Sequence, residues 1–123
     1  MKKAKYDIIT GIKIKMKPKN LLFVCEGNEQ RSPTFEIWFK RNRPEYNVIS
    51  AGIFYYCPQK LTKELLEWAD VVYVMDLGQE MFIARKFPEF LCKVIVIGCD
   101  DDYQRESSRL FKLIEYWVKK VNL

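Results

Sequence analysis

Histidine is absent from this 123-residue chain. That absence removes Ser-His-Asp and Cys-His catalysis, phosphohistidine chemistry, and nearly every zinc site except one built from cysteines and carboxylates. No Cys-x-x-C pair occurs among the four cysteines, Cys25, Cys57, Cys92 and Cys99. No apolar run approaches the roughly 18 residues of a membrane-spanning helix, and the basic start MKKAKYDIITGIKIKMK lacks the apolar stretch of a secretory signal. A cytoplasmic protein with no membrane contact is expected, its thiols reduced and available as nucleophiles or for packing. Internal repeats and low-complexity tracts are also missing.

What is present suffices for one domain with a core: 49% of the residues are hydrophobic and 15% aromatic. The formal charge is +5, but the first 20 residues hold seven lysines against one aspartate, so the remainder is close to neutral. A short basic terminus reads as a solubilising or edge-blunting segment. Nucleic-acid contact through residues 1–19 is the less favoured reading, because Lys alternating with Ile offers phosphate contacts but no base-reading aromatics. Pro18 and Asn20 mark a break, which divides the chain into a basic extension (1–19) and a folded domain (20–123).

Beyond residue 20, LLFVC (21–25), YNVISAG (46–52), DVVYVMD (70–76) and KVIVIG (93–98) read as strands. Three are nearly continuous in apolar character, as strands covered on both faces require. Helix-like stretches fall at about 31–41, 61–68 and 77–87. The final RESSRLFKLIEYWVKKV sets Leu110, Leu113, Ile114, Trp117, Val118 and Val121 on one helical face. This alternation predicts a three-layer α/β/α fold with a four-stranded parallel sheet. In TGIKIKMKPKN, Lys alternates with Ile12, Ile14 and Met16, the pattern of an extra N-terminal edge strand with one wet face.

Chemistry concentrates in CEGNEQRSP (25–33). Cys25 ends the first core strand just before a helix, where open parallel sheets bind ligands and helix N-termini offer free N–H groups. Five intervening residues (Glu26, Gly27, Asn28, Glu29, Gln30) are enough to curl the backbone around a tetrahedral oxyanion with several amides turned inward. Amide dipoles and a guanidinium around a central thiol favour its thiolate, which makes Cys25 a candidate nucleophile. Arg31 can hold two phosphoryl oxygens in its planar fork. Gly27 and Asn28 suit positive φ, Ser32 can donate to the thiolate, and Pro33 fits a first helical turn.

VCEGNEQRSP resembles the V-C-x-G-N-x-C-R-S-P loop of the low-molecular-weight protein tyrosine phosphatases, with Gln30 in place of the second cysteine. ISAG (49–52) and WADVVYVMD (68–76) resemble that family's second and third strands. The similarity covers about residues 20–120 and is greatest to the short microbial branch. It implies strand order 2-1-3-4, a phosphatase-like domain over 20–123, no metal or other cofactor, and hydrolysis through phosphocysteine of phosphotyrosine or a related aryl or small phosphomonoester. A phosphorylated protein or small molecule is then the partner and inorganic phosphate a product. The family's acid lies in an Asp-Pro-aromatic motif. Aligning Tyr103 of GCDDDYQ with that aromatic makes Asp101 the acid, with Asp100 and Asp102 as alternatives, and repulsion among three adjacent carboxylates favours keeping one protonated.

By the same resemblance Phe54 and Tyr55, with Tyr56 beside them, and Tyr103 are the expected pocket aromatics. Glu26 and Glu29 depart from the family, which has apolar residues there. Two carboxylates at the rim are expected to repel acidic substrates, or to leave a weak or inactive phosphatase-like module that binds protein or nucleic acid. Thiol-dependent arsenate reductases share the fold, but Cys92 and Cys99 would be about 20 Å apart along a strand at ~3.3 Å per residue, far beyond disulfide reach.

Overall fold

In the computed structural model, residues 18–123 are described in full and residues 5–6 and 13–14 as backbone. β1 (Lys5–Tyr6) and β2 (Lys13–Ile14) pair antiparallel. Of the stretch expected to hold an edge strand, Lys13–Ile14 and 18–20 are described: Lys13–Ile14 pair with β1 rather than with the main sheet, Asn20 begins the first core strand, and the rest lies outside the described residues.

β3 (Asn20–Cys25) leads into α1 (Arg31–Asn42), then β4 (Asn47–Gly52), α2 (Lys63–Trp68), β5 (Val71–Val74), α3 (Leu77–Lys86), a 3-10 helix (Pro88–Lys93), β6 (Val94–Val96) and α4 (Ser108–Val121). The main sheet runs β4-β3-β5-β6, all parallel, which is the order 2-1-3-4 of the four core strands. β3 is central and its side chains are buried on both faces, which explains its unbroken apolar run.

Alternation along β3 divides the core. Leu21, Phe23 and Cys25 face α1 and α4, meeting Phe35, Trp38, Phe39, Leu110, Ile114 and Trp117. Leu22 and Val24 face the other way, toward Leu66 of α2, Ile83 of α3 and Phe90 of the 3-10 helix. Trp117 packs edge-on against Tyr73 and Phe35, ring centroids 4.9 and 5.7 Å apart, a geometry that adds to the area buried.

Helix limits follow local chemistry. Thr62 and Ser107 accept from the amides of Leu65 and Leu110 as N-caps, which starts α2 and α4 later than apolar periodicity alone predicts. Glu106 at φ 54° is left-handed, so α4 cannot extend back through it. Buried Lys93 donates to the carbonyls of Leu66 and Ala69, both at 2.7 Å, and so closes the end of α2. At the head of the domain, the Asp70 carboxylate accepts from the amides of Lys19 and Asn20, which anchors the first residues of β3.

Candidate active site

β3 and β4 end together, Cys25 opposite Gly52, and the chain then curls through residues 26–30 into α1. Ile53 and Phe54 donate their amides to the Glu26 carbonyl (2.8 and 3.0 Å), which pins the outer turn of this loop to the segment after β4. Asn28 takes φ 53° and is buried, and its backbone N–H donates to Cys25 Sγ at 3.2 Å. Its side chain is fully engaged: Nδ2 donates to Ser32 Oγ (3.1 Å) and Ser50 Oγ (2.9 Å), while Oδ1 accepts from the Gln59 amide (3.2 Å). Ser50 in turn donates through both its amide and hydroxyl to Glu36.

Positive φ was expected at Gly27 as well as Asn28, yet Gly27 is not in that region and a Cβ there would meet nothing within 4 Å. Asn28 alone makes the turn, held by its amide bonds. The sterically demanding glycine is Gly52, where a Cβ would lie 2.8 Å from both the Asn28 amide nitrogen and the Glu26 carbonyl oxygen.

Ser32 Oγ lies 3.0 Å from Cys25 Sγ. Asn28 donates to that hydroxyl, whose one proton is shared between the sulfur and the Ala51 carbonyl at 3.3 Å, so the sulfur can accept from one O–H and one N–H. Arg31 is buried, its Nη1 donating to Asp76 Oδ2 (3.0 Å) and to the Cys99 carbonyl (2.7 Å). Burial pushes the Asp76 carboxyl up, but the hydrogen bonds from Arg31 and the Gly78 amide, with the guanidinium charge, outweigh it and leave the group below the ordinary 3.8. Cys99 is also buried, and that burial drives its thiol to about 11 despite the neighbouring Arg31. It supplies a carbonyl here, not a thiolate. Cys92 precedes β6 and Cys99 follows it, so a strand separates them, and none of the four cysteines is in a disulfide.

A cavity of about 230 Å³ opens over the loop, lined by Cys25, Glu26, Gly27, Glu29, Gln30, Arg31, Phe54, Tyr56 and Asp101. Cys25, Arg31 and Asp101 are therefore brought together, whereas Asp100 and Asp102 are not in the wall. Of the remaining loop residues, Asn28 and Ser32 stand behind the sulfur as its supports. The aromatics are redistributed. Phe54 lines the cavity, but Tyr55 is 83% exposed and outside it, and Tyr56 takes that place. Tyr103 also lies off the wall, packed against the core with Arg109 over its ring. Both Glu26 and Glu29 line the cavity, as their rim positions led one to expect.

Sequence reasoning left Asp76, Gly52, Ser50 and the Cys99 carbonyl unassigned. A local signal existed for Asp76: with Gln79 three residues on, it forms the capping box that starts α3. Among the four described α-helices, α1 alone has no side-chain N-cap, and no acid occupies its first turn. Its free N–H groups are left at the loop that a phosphoryl group would occupy.

No family model matches the sequence. Among curated proteins the chain is similar to the low molecular weight protein-tyrosine-phosphatase Ptp of Acinetobacter johnsonii, 30% identical over 122 residues that span 76% of this chain and 86% of that one. It is also similar to a protein-arginine-phosphatase of Geobacillus stearothermophilus, 30% identical over 113 residues, 69% of this chain and 76% of the relative. Among solved structures it resembles the YwlE arginine phosphatase from Geobacillus stearothermophilus, with a TM-score of 0.65 at 25% identity, covering 85% of this chain and 94% of that one.

Proposed function

Since the chain belongs to the low-molecular-weight protein-tyrosine-phosphatase family of cysteine-dependent phosphatases, we propose that it hydrolyses phosphotyrosine or a related aryl or small phosphomonoester through a phosphocysteine intermediate. One observation carries this reading: Cys25, Arg31 and Asp101 share the wall of a single cavity. The Cys25 thiolate attacks phosphorus, the P–O bond to the leaving group breaks, and Asp101 gives its proton to the departing oxygen. Water then attacks the phosphocysteine, Asp101 takes a proton from it, and inorganic phosphate leaves with the thiolate restored. Both described bonds of Arg31 run from Nη1, so Nε and Nη2 remain to meet phosphoryl oxygens. Residues 20–123 form the domain that carries this chemistry.

Phosphate release from p-nitrophenyl phosphate or phosphotyrosine, lost in Cys25→Ser, is the expected result. No release from any phosphorylated substrate by the intact chain would instead favour a module that only binds.

A second reading is favoured by Glu26 and Glu29. Two carboxylates beside a phosphate site oppose acidic surroundings and favour a phosphoryl group borne on a cation, and two curated relatives are named arginine phosphatases. The substrate is then phosphoarginine. Replacing both glutamates with leucine separates the readings by sign: kcat/KM rises for aryl phosphates and falls for phosphoarginine.

A further inference from the structure

Asp101 sits in the connection between β6 and α4, on an exposed turn with no regular structure of its own. What places it over the phosphate loop is a set of bonds on either side. Before it, the amides of Gly98 and Cys99 donate to the Met75 carbonyl, and the Cys99 carbonyl accepts from Arg31. After it, the Arg105 amide donates to Gln30 Oε1 at 2.6 Å, and Arg105 Nη1 lies 3.5 Å from the Glu29 carbonyl. One residue further on, the Glu106 amide donates to Thr34 Oγ1 at 2.9 Å, and that hydroxyl donates to the Gln30 carbonyl at 2.7 Å.

Gln30 therefore holds the far side of the connection twice, directly through its side chain and through Thr34. It also lines the cavity and directly precedes Arg31. We propose that Gln30 is a positioning residue: with Thr34 it clasps Arg105 and Glu106 to the phosphate loop and so sets where Asp101 meets the leaving oxygen. This rests on Asp101 being the leaving-group acid. The left-handed Glu106, at φ 54°, fits a chain bent to reach the clasp rather than to lengthen α4. Gln30 stands where the family motif has a cysteine, and a thiol is shorter and a much weaker acceptor for an amide.

The test compares kcat/KM on phenyl phosphate, whose leaving group needs the acid, with kcat/KM on p-nitrophenyl phosphate, whose leaving group needs it little. Gln30→Met keeps the length of the side chain but removes the acceptor, and Thr34→Val keeps the shape but removes the hydroxyl. Each should lower the phenyl to p-nitrophenyl ratio by about 3- to 10-fold, the scale of one lost hydrogen bond. Asp101→Asn should lower it by about 10²-fold, and Gln30→Met added to Asp101→Asn should lower it no further. If Asp101→Asn lowers the ratio while both clasp variants leave it at the wild-type value, the clasp is overturned and the acid assignment stands. If Asp101→Asn itself leaves the ratio unchanged, the acid assignment and the clasp fall together. Should Gln30→Met fail to fold, Thr34→Val decides the clasp alone.

Discussion

At Gly52 the end of β4 comes so close to the loop after β3 that a single methyl group would strike two backbone atoms of residues 26 and 28, neither of which is a flexible side chain. Gly52→Ala should therefore displace the loop, cost about 1–3 kcal/mol of stability, and reduce turnover, whereas Gly27→Ala, with open space around its Cβ, should melt close to wild type. Thermal unfolding of the two variants side by side checks this, and equal melting temperatures would show that the close approach has no weight. The contrast also shows what the sequence can display at this scale. Cys25, Arg31 and Ser32 are legible because a thiol, a guanidinium fork and a hydroxyl occupy one contiguous loop with recognisable spacing. Gly52 and the Cys99 carbonyl are not, since each acts through a neighbour that only the sheet order supplies. Tyr55 and Tyr103 show the same limit, because which ring of a run turns inward depends on backbone details that composition does not encode.

Elements were legible in kind but not in extent. Apolar runs and helical periodicity mark all four core strands and all four helices, while the 3-10 helix at Pro88–Lys93 has no periodicity to show and passed unread. Caps, not periodicity, fix where helices begin, and Asp76 is the instructive case: Oδ1 accepts from Gly78 to start α3, and Oδ2 accepts from Arg31 at the head of α1. One carboxylate thus joins elements on opposite faces of the sheet. Because its folded value is lowered, its contribution is present above the ordinary 3.8 and disappears as pH falls through the lowered value. Asp76→Asn should consequently be less stable than wild type at neutral pH, with the difference closing below about pH 3.8. Urea midpoints measured across that range give the answer, and a gap that persists undiminished into acid would remove the ion pair as its source.

For the whole molecule, the layered architecture was readable from the order of strands and helices, and the order 2-1-3-4 followed from the resemblance. Every described residue around the cavity lies between Cys25 and Asp101, and no described helix is long and apolar enough to cross a membrane. A chain starting at residue 18 keeps the Asp70 bonds to Lys19 and Asn20 and should retain wild-type kcat/KM on p-nitrophenyl phosphate. A loss beyond about threefold, roughly 0.7 kcal/mol in transition-state terms, would assign the basic segment a part in turnover. Helix α1 carries a wider consequence. Its N-terminal amides have no side-chain cap, so an anion bound there in the proposed reaction would meet donors that no side chain takes. Inorganic phosphate, the product of the proposed reaction, would then also act as a stabilising ligand. It should stabilise the folded chain by an amount that grows with the logarithm of its concentration above the dissociation constant, about 2.7 kcal/mol at a hundred times that constant, read as a rise in melting temperature, and Arg31→Ala should lose most of that gain. A cell rich in phosphate would hold this protein both more stable and more inhibited, with durability and idleness set by the same ion.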